Sequence, residues 1–482
     1  MRPQPAVGRG VAGFLDENGL LVMALTAFAI VVVIGLRTDL VVDGWLALAA
    51  GRWIAQHGLP SRDTLTVLAH GRRWIDQQWL AQLALYGLWR LGGVKLVLLV
   101  HALLVSGGLA GAAAIARARG ATARSVTWVA IPVFFAYLPV ASVMRTQSFA
   151  FPLFSATLWL VLVESSRGSR RILATLPLLV LWANLHGSVL LGAMLVSLAG
   201  LLEIARGRRP GGHALSLLLA PWACVLASPY APHLFTYYEK ILVGGDFKQL
   251  VSEWAPTALS PSTAAVYVLI LAGLWLLGRG GRSVPLLDQL VFALAAVLAL
   301  QAVRNMAWVA LVALAVLPPT LDRLRRPVPG HRPLNRLLAL GAFSVLAISL
   351  VAVTLKPGTW FTQDFPPRAA AAASAAAGPD GRVFATTPLA DWLLWVRPGL
   401  AGRLAFDARL ELLSAGQLRR IARLQAQAGD WRATVSGYRV FVLAGQSDRT
   451  LERALVDHLS ARVVFSSRQV VVLRRSGGAT SS

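Results

Sequence analysis

The chain has 482 residues, 56% hydrophobic and only 14% charged, with a mean hydropathy of +0.61. A soluble domain carries about 25% charged residues, so a water-soluble globular protein is excluded and a polytopic membrane protein is indicated. The net charge of +24 does not point to nucleic acid, because the basic residues are dispersed in short clusters between apolar runs, as topology signals are.

Taken in chain order, residues 1–19 read as a cytoplasmic N-terminus. The run at 20–36 is too long for a signal-peptide core and has no small-residue cleavage site after it, so it reads as an uncleaved first helix. Residues 37–93 form the first outer loop. Within it lie Asp43, Asp63 and Asp76, five tryptophans, and an amphipathic, Trp-rich segment at 79–91 expected to lie along the membrane surface. Further apolar runs fall near 94–116, 125–141, 146–163, 172–183, 188–203, 213–228, 261–278, 284–303, 305–321 and 335–355, giving about eleven spans over 20–355. Several are shorter than the roughly 20 residues a bilayer needs, so tilted or partial helices are expected; Pro177 predicts a break in 172–183. The lone Cys224 lies inside an apolar run, which excludes an internal disulfide.

With the N-terminus inside, five connections (117–124, 165–171, 204–212, 279–283 and 322–336) face the cytoplasm and hold 16 of the 42 arginines. The facing loops after the first carry only Arg145, Lys240, Lys248 and Arg304. This positive-inside asymmetry predicts an N-in, C-out topology. It also places Asp43, Asp63, Asp76, Arg145, His186, Glu253 and Arg304 on the outer face, where ionisable groups at helix ends tend to meet a cavity or a partner. Arg52, Arg62 and Arg72 read as loop charges.

Beyond the spans, 356–378 reads as a Pro-rich linker with a helical alanine run. Residues 379–475 alternate strand-like and helical patterns (VFATT, PLADWLLWV, RLAFDA, LSAGQLRRIARLQAQAG, YRVFVLAG, TLERALVDHLSA, then a hairpin), which predicts a small extracytoplasmic α/β domain. Residues 476–482 read as a disordered tail. The loop 229–260, rich in aromatics, suits either a saccharide groove or an interfacial helix.

The opening loop runs Asp43-Gly-Trp45 to Gly51, His57-Gly58-Leu-Pro60 to Asp63, and Trp74-Ile-Asp76-Gln-Gln78-Trp79-Leu80. Later come Arg145-Thr-Gln147, Trp182-Ala-Asn184-Leu-His186-Gly187, Ser228-Pro-Tyr230, Glu253-Trp254-Ala-Pro256, Arg304 and Phe406-Asp407-Ala-Arg409. In order and spacing these resemble a largely uncharacterised group of bacterial polytopic glycosyltransferases of the C-type fold, GT-C. That resemblance implies a transferase using a polyprenyl-phosphate-linked sugar and a glycan, lipid or protein acceptor. Two positions depart from the group's pattern: Ala47 stands for a His and Gln78 for a Glu.

Such chemistry needs a carboxylate to take the acceptor's proton and positive charge for the departing phosphate, which arginine's planar fork supplies. Asp43 is the candidate base and Asp76 a second carboxylate. Trp45, Asp63, Trp74, Gln78, Trp79, Arg145, Asn184, His186, Glu253 and Arg304 are candidates for substrate binding. A divalent cation, Mg or Mn, stays open as a cofactor without an assigned ligand set. The competing reading is a non-catalytic transporter or carrier of lipid-linked saccharide. No internal repeat supports it, and Lys95 and Asp288 are the main mid-span charges.

Overall fold

The computed structural model describes residues 10–37, 40, 42–207, 211–242, 251–324 and 332–475. Parts of the N-terminal segment, Lys248 and the tail at 476–482 lie outside them. The chain is a polytopic helical membrane protein with a small C-terminal α/β domain. Among the described residues, eight helices are long and apolar enough to cross a bilayer, rather than eleven. The segments expected at 172–183, 213–228 and 284–303 are all helical but shorter.

The first helix, α1 (Val11–Gly35), is followed by α2 (Val42–His57), which lies in the outer loop and carries Asp43 in its first turn. Next comes α3 (Trp79–Ala118), broken at Gly92 and Gly93. Gly93 takes φ +62°, ψ −159°, a region that only glycine occupies cheaply. The break separates the amphipathic 79–91 from the spanning part, as the pattern predicted. After α4 (Ala123–Ala141) the chain enters a span at Thr146–Glu164 whose α-helical middle is α5 (Ala150–Trp159). It is followed by α6 (Thr175–Leu185), α7 (Val189–Arg206) and α8 (Gly211–Val225). Pro177 does not break α6. It sits in the first turn, where no backbone N–H is required, and the irregularity is a 3-10 turn upstream, Arg170–Ala174.

The aromatic loop contains α9 (Ala231–Leu242), and then come α10 (Ala264–Gly280), α11 (Leu286–Gln301), α12 (Met306–Leu324) and α13 (Arg332–Leu355). Every residue from Met306 to Thr320 of α12 is buried, so this helix is the pillar around which the others pack. By contrast α13 exposes Leu337, Ile348 and Leu355, a face suited to lipid.

Three of the arginine-rich connections, 117–124, 279–283 and 322–336, come together. There Arg119 pairs with Asp288, Asp322 accepts from Thr122 N at 2.6 Å, and Arg323 donates to Ser283 O at 2.5 Å. Asp288 is therefore not a mid-span charge; it opens α11 at that end. Lys95 likewise sits near a helix end and donates to Thr354 O at 2.8 Å. Asp43, Arg145, His186, Glu253 and Arg304 lie together at the opposite end, around one cavity.

The C-terminal domain has a four-stranded sheet, ordered β1 (Val383–Ala385), β2 (Val440–Ala444), β4 (Val470–Arg475), β3 (Ala461–Ser466). Strand β1 pairs parallel with β2, and the remaining pairs are antiparallel. The expected linker is partly structure: α14 (Pro367–Ala377) buries Ala369, Ala370 and Ala373 against the sheet. RLAFDA is no full strand. Leu404 bridges both Val383 and Thr66, so the edge of the sheet is continued by the membrane region's own outer loop. Val67 N donates to Leu404 O at 2.8 Å and Leu68 N to Ala405 O at 3.0 Å. From α2, Arg52 donates to Leu394 O and Trp395 O, each at 2.8 Å, capping the end of α15 (Thr387–Val396).

Candidate functional site

A cavity of about 460 Å³ is lined by residues at helix ends and by residues of the C-terminal domain. Eight of the twelve predicted site residues line it: Asp43, Trp74, Asp76, Gln78, Arg145, His186, Glu253 and Arg304. They come from α2, the 74–78 loop, the residue before the fourth span, the α6–α7 turn, the 252–254 turn and the start of the α12 region. This convergence is a product of the fold, since the residues are up to 261 positions apart in sequence.

Arg145 is held between two carboxylates. Its Nε lies 3.1 Å from Asp43 Oδ2, and its Nη2 bonds Glu253 Oε1. Arg304 instead lies over the Trp254 ring, 4.4 Å from its centroid, a cation–π contact. The side chain of Asp43 leaves 41% of its surface uncovered, but that surface faces a cavity walled by protein. Burial therefore raises its carboxyl pKa despite Arg145 and Arg304. Burial acts on Glu253 in the same sense, yet Arg145 outweighs it and holds that carboxyl below its usual range. Burial opposes the charge on Arg145, and Asp43 and Glu253 more than restore it. The two carboxylates around one arginine are thus unequal, with Asp43 the more basic.

His186 sits where α6 stops, and its Nδ1 accepts from Ser188 N at 3.1 Å. That bond leaves the neutral ring with its proton on Nε2. Burial, then the positive Arg304 and Arg145, push its pKa well below the ordinary value. Beside it, Gly187 allows the close approach of Gln77: a Cβ there would meet Gln77 Nε2 at 2.7 Å.

Another part of the lining is formed by the 74–82 segment and residues 408–411 of the C-terminal domain. Asp76 is 3% exposed; its Oδ1 accepts from Gln82 Nε2 at 3.0 Å, and its Oδ2 has no partner. Burial raises its pKa to about 7. Glu411, from the C-terminal domain, is likewise raised by burial to about 7. Gln77 donates to Tyr237 Oη at 3.0 Å. Gln78 accepts from Thr146 Oγ1.

Four predicted residues lie off the cavity, each for a packing reason. Trp45 is 2% exposed, its ring set against Phe365 and Trp89 with centroids at 5.2 and 6.1 Å. Trp79 Nε1 donates to Asn184 Oδ1 at 2.9 Å, and Asn184 Nδ2 donates to Ala227 O at 2.8 Å, so both tie α3 to the ends of α6 and α8. Asp63 is fully buried, taking Arg409 Nη2 at 2.6 Å and Thr66 Oγ1 at 2.7 Å. Arg409 also pairs with Asp407 and covers the Trp74 ring at 4.0 Å. Asp63 therefore fastens the outer loop to the C-terminal domain.

The cavity residues not singled out from sequence include Gln77, Gln82, Tyr237, Arg409 and Glu411. Only Arg409 had a signal, its place in the Asp407-Ala-Arg409 element; the others required knowing which loops meet. As for a cation, no group of three His, Cys, Asp or Glu among the described residues is arranged to hold one. The nearest donors, Asp43 and Glu253, are both engaged by Arg145. This donor set does not fit a divalent ion.

No protein-family model matches the chain, and no curated protein matches it. Among solved structures it is similar to ArnT from Cupriavidus metallidurans in the apo state, at 14% identity over 93% of this chain and 96% of that one, with a TM-score of 0.47. It is similar also to the same protein bound to undecaprenyl phosphate, at 15% identity over 93% and 97%, with a TM-score of 0.49. At those values the likeness assigns no role to any residue.

Proposed function

We propose that the chain is a membrane glycosyltransferase, moving a sugar from a polyprenyl-phosphate donor to a cell-envelope acceptor at the outer face of a bacterial inner membrane. The observation that carries this reading is the junction of two spaces. Met194 lines both the charged cavity and an almost wholly apolar groove of about 520 Å³ between α7, α8 and α11, which is lined also by Leu198, Leu218, Trp222 and Leu294. An anionic head on a long hydrocarbon tail suits that pair of environments. A soluble nucleotide sugar would leave the groove unused.

In this reading the acceptor hydroxyl attacks the anomeric carbon while Asp43 takes its proton. The bond from that carbon to the phosphate oxygen breaks, and its electron pair leaves with the polyprenyl phosphate. Arg304, free of any carboxylate ion pair among the described residues, is the principal phosphate contact. Arg145 completes the positive field and orients Asp43. His186, neutral, offers an N–H donor.

What favours this reading over a transporter is the packing beneath the cavity among the described residues. Beneath the cavity Trp308 packs on Phe154 and Phe151, with centroids at 5.0 and 5.4 Å, above a fully buried α12. The test is mass spectrometry of envelope glycans and lipid-linked sugars in a deletion strain. Loss should accumulate a glycosylated polyprenyl phosphate and remove a glycan modification. Wild type should restore it, and a well-expressed Asp43→Asn protein should fall short by about 10²–10⁴ in rate. Unchanged lipids and glycans in the deletion strain would sink the reading.

A further inference from the structure

The part of the cavity lining formed by the 74–82 segment and residues 408–411 has hydrogen-bonding atoms without partners. Asp76 Oδ2, Gln77 Oε1, Gln82 Oε1 and Arg409 Nη1 are all buried and all unpaired. Their residues are between 3% and 6% exposed, and every one lines the cavity. Buried polar atoms are rarely left unpaired, and here four are concentrated where two parts of the chain meet. The remaining polarity of these side chains is spent holding them in place: Asp76 on Gln82, Gln77 on Tyr237, and Arg409 on Asp63 and Asp407.

We infer that this wall is the subsite for the sugar ring of the donor, reading its hydroxyl groups. The inference rests on the transferase reading and adds an orientation to it. Gln77 Oε1 and Gln82 Oε1 are acceptors, and Asp76 Oδ2 accepts when ionised and donates when protonated, so the group they meet must bring hydrogen-bond donors and be able to accept as well. A phosphate brings only acceptor oxygens at neutral pH, and it belongs at the Arg304 end of the cavity. A ring carrying several hydroxyls donates to Gln77 and Gln82, accepts from Arg409 and can do either with Asp76. The Arg409 guanidinium also covers the Trp74 ring, which makes a rigid edge to the subsite. The sugar is thereby held between the membrane region and the C-terminal domain, and its specificity depends on both.

Full-length protein in detergent is titrated with undecaprenyl phosphate, and then with the same lipid phosphate carrying glucose, galactose or mannose. In wild type at least one hexose should tighten binding over the bare lipid. In Gln77→Leu and in Gln82→Leu, which are separate variants in case one folds poorly, that gain should fall about three- to tenfold, the range for one neutral hydrogen bond. Affinity for bare undecaprenyl phosphate should not move. A gain from the sugar that survives both substitutions, or no gain from any of the hexoses, as expected if ordered water alone fills the wall, overturns the subsite. Failure of bare undecaprenyl phosphate to bind wild type overturns the transferase reading itself, and the subsite with it.

Discussion

Arg145 is the residue on which the balance of the site turns, because it touches both acids. It lowers the pKa of Asp43 against the effect of burial. Removing it as Arg145→Ala should therefore raise that pKa further, and the acidic limb of the transfer-rate profile should move to higher pH, with a lower plateau. An unshifted limb would mean that Asp43 is not the titrating base. The second acid gives a stability signature. Asp76 holds its proton in the fold up to about pH 7, whereas its ordinary value is 3.8. The folded state thus binds more protons than the unfolded one between those values, so stability is fullest below the ordinary value and declines as pH rises toward 7. The loss amounts to roughly 4 kcal/mol at most, from about 1.4 kcal/mol per pKa unit. Glu411, raised to about 7, adds in the same sense. Thermal unfolding at pH 5 and pH 8 should show the decline in wild type and a clearly smaller one in Asp76→Asn. Equal declines would place the titration elsewhere.

Among the elements, α3 shows how two glycines divide one hydrophobic stretch into a surface helix and a span. An L-residue at Gly93 would meet no atom within 4 Å, so its cost is purely that of the backbone. Gly93→Ala should destabilise by about 1–3 kcal/mol. The control, Gly87→Ala, lies in regular helix with equally open surroundings and should stabilise by about 0.5–1 kcal/mol. Thermal unfolding of the purified pair decides this, and equal effects would remove the break from the argument. The outer loop is a second composite element. Asp63 and Arg409 form a buried ion pair across the boundary between loop and domain. Cutting one partner of such a pair usually costs about 3–5 kcal/mol, so Asp63 belongs to assembly rather than to substrate recognition.

At the scale of the whole molecule, charges of opposite function are sorted to opposite ends. Three of the arginine-rich connections, 117–124, 279–283 and 322–336, meet at one end through Arg119, Asp288, Asp322 and Arg323. The cavity and the C-terminal domain share the other. The positive-inside rule predicts that the cavity end faces outward. A reporter fused to the C-terminus should accordingly be active only when it reads the extracytoplasmic side. Activity confined to the cytoplasmic side would reverse the topology and with it the location of the acceptor.

Some of this was legible from the chain alone. Hydropathy located the eight long apolar helices, though not the helix Val42–His57 in the first loop, because a bilayer imposes on each span an apolar length that shows residue by residue. The alternation of arginine clusters ordered the loops, and the helix break at Gly92-Gly93 fell where the amphipathic pattern ended. What only the tertiary structure decided was partnership. Trp45 and Trp74 are both loop tryptophans; one disappears into an aromatic core and the other carries Arg409 at the cavity edge. Asp43, Asp63 and Asp76 look alike in sequence. One is set beside an arginine facing a cavity, one is buried in an ion pair, and one is left half satisfied. Span formation depends on a local sum over neighbouring side chains. A carboxylate's role depends on which distant atoms share its surroundings, and that information exists only once the helices have packed.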